Sequence, residues 1–330
     1  MRTFEVPLLY PDTTPVQNCE QIMKSRMLLD SEELASFPVK VPTVLDNVSC
    51  VYCAAGLSKE TRTKEHVVAR RFVPKGKHDG GWNLIAYACT GCNNAKARLE
   101  NELAAISMQP DSYGKYAIDD DLLKAEATRK AAKSISSRTG RPINESGEQL
   151  KFETRHPVGL LVSVSLEAPA QVSSEVVFEL CRMQMCAFFY MLTFDRNSRR
   201  GGFWPGIFMG IQHAKRSDWG SRRLVSFAET VKEWEPRLIC TTPIADGFYK
   251  LAIRKHPSED CWSWAVEWNH SIRCVGLFGE ESSCENVEKA VEKIVAQLFV
   301  DEPHRKLAYR RDVALIESDD VLFKYRDIDT

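Results

Sequence analysis

Cys50-Val51-Tyr52-Cys53 and Cys89-Thr90-Gly91-Cys92-Asn93-Asn94-Ala95-Lys96 stand on either side of Lys64-Glu65-His66-Val67-Val68. Two Cys-x-x-Cys pairs with 35 residues between them have the spacing of a split zinc knuckle. Four thiolates satisfy one zinc tetrahedrally and leave no open coordination position, so Cys50, Cys53, Cys89 and Cys92 read as a structural Zn²⁺ site that staples a short segment together. The histidine and the oxygen donors inside and beside the knuckle are a different kind of chemistry, that of a hydrolytic site with a hard divalent ion.

Working outward, the apolar run Leu84-Ile85-Ala86-Tyr87-Ala88 reads as a strand that delivers Cys89, and Glu65 to Ala69 as a strand just past its polar start. Gly76 to Gly81 is a polar loop, and good helix formers at helical spacing follow Cys92. The expected unit is ββα with a zinc clip, too small to fold on its own core. Asp119-Asp120-Asp121 caps a further, basic helix running to about Ser137. Before the motif, residues 1–48 read as a proline-rich wrapping arm with one helix over Pro15–Leu29. Residues 49–140 form the motif domain with its basic helix, and 138–149 a linker. Residues 150–330 form a larger α+β domain, with a helix over 171–192 capped by Ser173 or Ser174, a meander of strands at 247–253, 262–268 and 272–278, and an amphipathic helix over 287–298. Trp262, Trp264 and Trp268 share strand parity and read as packing residues more than as base-stacking ones.

The formal net charge of −1 gives no global attraction for a polyanion, but its distribution does. Nine Lys or Arg residues lie between Lys59 and Arg98 against three acidic ones, and six between Lys124 and Arg141 against Glu126 alone. Arg70, Arg71, Lys75, Lys77, Lys96 and Arg98 are the candidate phosphate contacts. The closing stretch is acidic, a tail able to lie over the basic surface, and Arg196 to Gly202 is a basic loop. The first residues carry no apolar signal region, and no run is long enough to span a bilayer. With seven further cysteines lacking a pairing rhythm, a reducing cytoplasmic setting is expected.

In order and spacing, Glu65-His66, Asn83-Leu84 and Cys92-Asn93 with Lys96 three residues on resemble the HNH endonucleases of the His-Me finger (ββα-metal) group, in their cysteine-rich form. The resemblance covers residues 49–100. It implies that His66 is the general base on the attacking water, that Glu65 and Asn93 hold a catalytic Mg²⁺ or Mn²⁺, and that Asn83 braces the loop that aims the histidine. It implies DNA as substrate, with RNA open, and a setting in phage defence, restriction or a mobile element. Asn93 stands where the family often has His. Cys89 lies six positions after Asn83 where five is commoner, so either a bulge is needed or the middle assignment is off by one. A histidine near its ordinary pKa of about 6.5 suits a base at neutral pH. Two other functions remain: a catalytically silent, zinc-stapled nucleic-acid-binding module, and a nuclease subunit active only with partner proteins of a defence complex.

Overall fold

The computed structural model describes residues 42–324 apart from 80, 112–113, 156–160, 242–243, 294–296, 303–304 and 310. The helix expected over Pro15–Leu29 and most of the wrapping arm lie outside the described residues. The chain opens with β1 (Thr43–Val44), β2 (Arg62–His66) and β3 (Leu84–Cys89), followed by α1 (Thr90–Ser107) and α2 (Asp121–Lys133). β2 pairs antiparallel with β3, Glu65 opposite Ala86 and His66 opposite Ile85, while β1 runs parallel on the other side of β3. β3 is paired without a register break, so the expected bulge before Cys89 is not needed. The helix starts at Thr90, earlier than expected, because Cys89 is at once the last residue of β3 and the N-cap of the helix. α2 starts where Asp120 accepts a hydrogen bond from the Leu123 N–H.

After a short β4–β5 hairpin (Glu148–Arg155, Leu161–Ala168) comes α3 (Ser174–Leu192), capped by the Ser173 hydroxyl. The remaining elements are β6 (Ile207–Lys215), α4 (Arg222–Val231), β7 (Glu235–Cys240), β8 (Tyr249–Lys255), β9 (Cys261–Trp268), β10 (Ile272–Gly279), α5 (Glu281–Ala290), β11 (Gln297–Glu302) and β12 (Arg305–Tyr309). The meander β8–β9–β10 forms as read from the sequence and is extended to an antiparallel sheet of order β6-β10-β9-β8-β7. The helix expected over 287–298 is displaced. The Glu280 carboxylate accepts from the Ser282 and Ser283 N–H groups, which starts the helix at Glu281, and Val291 is already extended.

Strand alternation gives the large sheet two apolar faces. Leu251, Ile253, Trp264, Val266, Trp268 and Cys274 face α3. Ile239, Ala252, Ala265, Val275 and Leu277 face α4, α5 and the segment near 315–323. Trp262, Trp264 and Trp268 are packing residues, with Trp264 stacked on Phe208 at 4.9 Å. Up to Lys324, the described part of the acidic tail is bonded elsewhere than to the basic residues of the motif region. Asp312 accepts from Ser217 at 2.7 Å and Asp320 from the buried Arg273 at 2.7 Å, which fixes the tail to the sheet face remote from α3. The 196–202 loop is also tied down, by Arg199 to Asp46 at 2.8 Å.

The face toward α3 continues without a break into the ββα unit, so Val67, Trp82, Leu103, Phe188 and Trp268 belong to one core. Polar bonds cross the same boundary. Ser49 and Tyr190 share a hydroxyl bond of 2.8 Å. Asn269, at the β9–β10 turn, donates to the Phe72 carbonyl at 3.1 Å and to Ser107 Oγ at 2.8 Å, and Trp268 packs edge-on against Phe72. The large sheet therefore buttresses the loop that follows β2. Asn269→Ala strands a buried carbonyl and puts alanine at a left-handed position (φ 52°). The expected result is a lower urea midpoint, equivalent to about 2 kcal/mol.

Candidate metal centre and adjoining cleft

The four cysteine thiols converge. All four Sγ atoms lie within 4.8 Å of one another, and Cys53 and Cys89 are 3.8 Å apart. A zinc–sulfur bond of about 2.3 Å gives a tetrahedral edge of about 3.8 Å, so the donor set fits Zn²⁺. Local backbone brings it about. Ala54 adopts a left-handed conformation (φ 60°) and the Cys50 N–H bonds the Ala55 carbonyl, which turns the first pair back on itself. The second pair sits at the start of α1, with Cys89 as N-cap and Cys92 in the first turn, where the helix dipole favours thiolates. The Cys89 N–H points at the Cys50 sulfur, 3.3 Å away. Hydrogen bonds from the Cys50 and Cys92 thiols lower the Cys53 pKa, and the same coupling raises that of Cys92.

β2 sends its side chains two ways. Thr63 and Glu65 face α1, where Asn93 Nδ2 donates to Thr63 Oγ1 at 2.9 Å and Lys96 Nζ to Glu65 Oε1 at 2.8 Å. Asn94 is exposed, as the helical spacing required. Lys96, read from the sequence as a phosphate contact, is instead fully buried. It also bonds Glu100 at 2.5 Å, while Tyr52 donates to Glu65 at 3.1 Å. The cause is its place on the helix, one turn after Asn93 and facing the sheet. Burial opposes its charge, but Glu100 and Glu65 outweigh that and hold the Lys96 pKa above its usual value. Burial pushes Glu100 up to about 7, against the pull of Lys96.

His66 lies on the opposite face of β2. It lines an open cleft of about 540 Å³ together with Arg70, His78, Asp79, Asn83 and Ile85. Asn83 grips the loop after His66 with both ends of its amide: Oδ1 accepts from the Val68 N–H at 3.3 Å and Nδ2 donates to the Val68 carbonyl at 2.8 Å. Partial burial, then Arg70 and Lys64, hold the His66 pKa below its usual value, which keeps the ring neutral. The structure thus brings His66 together with Asn83 and Arg70, Glu65 together with Lys96, and Asn93 together with Thr63; the two sides of β2 meet where Lys96 Nζ also donates to the His66 carbonyl at 3.4 Å. Arg70, Arg71, Lys75 and Arg98 are exposed. Lys77 is tied to Asp120 at 3.0 Å. His78 had no signal in the sequence, because no ligand spacing marks it.

No family model, curated protein or solved structure matches this chain. Among the described residues no helix is long and apolar enough to cross a membrane.

Two outcomes test this geometry. The zinc-loaded chain should carry one zinc, and Cys89→Ser should lose both the metal and the native near-UV circular dichroism; retention of both would show that the cluster is not a structural metal centre. The Glu100 shift has a sign. Between its ordinary 4.5 and about 7 the unfolded chain has released the proton that the folded chain still holds, so stability falls as pH rises through that window. Urea titrations across it should show the fall in the wild type and a flatter profile in Glu100→Gln.

Proposed function

We propose that this chain is a zinc-stapled nucleic-acid-binding protein whose ββα unit meets the phosphate backbone with Arg70, Arg71, Lys75 and Arg98, around the His66 cleft. The observation that carries this reading is the divergence of Glu65 and Asn93 from His66. A hydrolytic centre of the HNH kind needs its ion ligands and its base on one phosphate. Here Glu65 turns to α1, the Asn93 amide on α1 donates to Thr63 of β2, and Lys96 supplies to Glu65 the positive charge that a divalent ion would otherwise provide. The exposed cations next to the cleft keep the electrostatic half of the design, which is sufficient for binding without chemistry.

A second reading has its own support. The double hydrogen bond from Asn83 to Val68 is the brace that the HNH resemblance calls for, and a neutral His66 is in the form that a general base requires. On this reading the chain is an endonuclease that hydrolyses DNA with Mg²⁺ or Mn²⁺, alone or after assembly with defence partners that move Glu65 away from Lys96.

Fluorescence anisotropy on labelled duplex DNA and single-stranded RNA, run beside plasmid nicking with Mg²⁺ or Mn²⁺, separates the two. The first reading predicts binding that weakens with salt. Replacing Arg70 and Arg71 together by Ala should flatten that salt dependence by roughly 0.9 per lost phosphate contact, with no nicking. Nicking that falls by about 10²–10⁴-fold in His66→Ala establishes the second. Absence of binding to either nucleic acid overturns both.

A further inference from the structure

His78 shares the cleft with His66 and Arg70, and none of the contacts described above uses it. Its Nε2 is buried and has no hydrogen-bond partner. In the neutral ring that nitrogen is an unpaired donor or an unpaired acceptor according to tautomer, and either state costs about 1–3 kcal/mol when buried. The loop that carries it is held on both sides. Lys77 is anchored to Asp120 and lies over the Phe248 ring at 4.9 Å, and successive turn bonds run from Lys77 to Pro74, Asp79 to Gly76 and Gly81 to His78. The fold therefore positions the ring at a wall of an open cleft, with one polar atom unpaired and closed to solvent, which a ligand in the cleft meets once the ring turns outward.

The charges around it select the ligand's sign. Arg70 acts on both imidazoles and Lys64 adds to it at His66, while Asp79 opposes at His78 and Glu65 at His66. A metal cation in this cleft would meet the guanidinium, whereas an anion would be drawn by it. We propose that His78 is a phosphate-binding residue of this cleft, taking up a proton when a nucleic-acid phosphate binds and donating Nε2–H to an oxygen that Arg70 also holds. This rests on the nucleic-acid-binding reading. The proton comes from solvent, and no covalent bond is made or broken. Burial, then Arg70 and His66, push the His78 pKa down to about 4, with the Ala69 carbonyl and Asp79 pulling the other way, so the free ring is neutral. A phosphate in contact reverses the balance by adding a negative charge beside the ring.

Isothermal titration calorimetry of the zinc-loaded full chain with a short DNA duplex, near pH 6 in two buffers of different ionisation enthalpy, measures the proton directly. The wild type should take up about one proton per bound site. His78→Gln, checked for native near-UV circular dichroism, should bind roughly tenfold more weakly with that uptake lost. Binding without uptake in the wild type, or equal uptake in His78→Gln, overturns the proposal and leaves the nucleic-acid reading intact. If neither duplex nor single-stranded RNA binds, that reading falls, and inorganic phosphate becomes the probe. Proton-coupled phosphate binding that His78→Gln abolishes keeps His78 as an anion site, and its absence removes that too.

Discussion

Lys96 reaches Glu65 and Glu100 from inside the ββα unit, and the chemistry available at the surface depends on that buried triad. A lysine with no exposure has to be paired, since an isolated ammonium in the interior costs several kcal/mol. The pairing fixes the Glu65 carboxylate against α1, fixes α1 against β2, and through strand alternation turns His66 to the other side. One ion pair thereby sets the orientation of the helix and the division between an occupied carboxylate and a free imidazole. The zinc cluster has a different task. It joins the turn after Ser49 to the β3–α1 junction.

The ββα unit does not stand by itself. Its core runs into the face of the five-stranded sheet that receives α3, and Asn269 and Trp268 hold the loop that carries Arg70 and Phe72. The cleft is therefore a joint product of the two regions: β2 supplies His66, the residue before β3 is Asn83, and the large sheet supplies the support that keeps the loop after β2 in place. On the opposite face of that sheet, Arg273 gathers Glu267 and Asp320 and lies 4.0 Å over Trp219, which seats the described part of the acidic tail there.

Sequence pattern revealed the local elements well. The cysteine spacing identified the cluster, the alternation in 247–278 gave the meander, and Asp120 and Ser173 marked two helix starts. It failed where the decisive fact was a direction in space. Nothing in Glu65-His66 says that two adjacent side chains serve opposite faces, although the period of two implies it once the strand is known to include both. Lys96 looked like one more member of a basic run, because its partner Glu65 is 31 residues away. The helix near 290 begins earlier than its apolar spacing suggests because the Glu280 carboxylate makes Glu281-Ser282-Ser283 a first helical turn. His78 stayed hidden because its significance lies in an unpaired nitrogen, which only packing reveals.

On the reading proposed above, Lys96 occupies Glu65, so that the four cysteines hold zinc and no second, exchangeable ion binds at Glu65. Electron paramagnetic resonance of Mn²⁺ titrated into the zinc-loaded chain, with and without a short DNA duplex, tests it most directly. The account predicts that the free-Mn²⁺ signal persists undiminished in the protein alone and is matched by Glu65→Gln in every condition. A stoichiometric loss of that signal in the wild type, absent in Glu65→Gln, would contradict it.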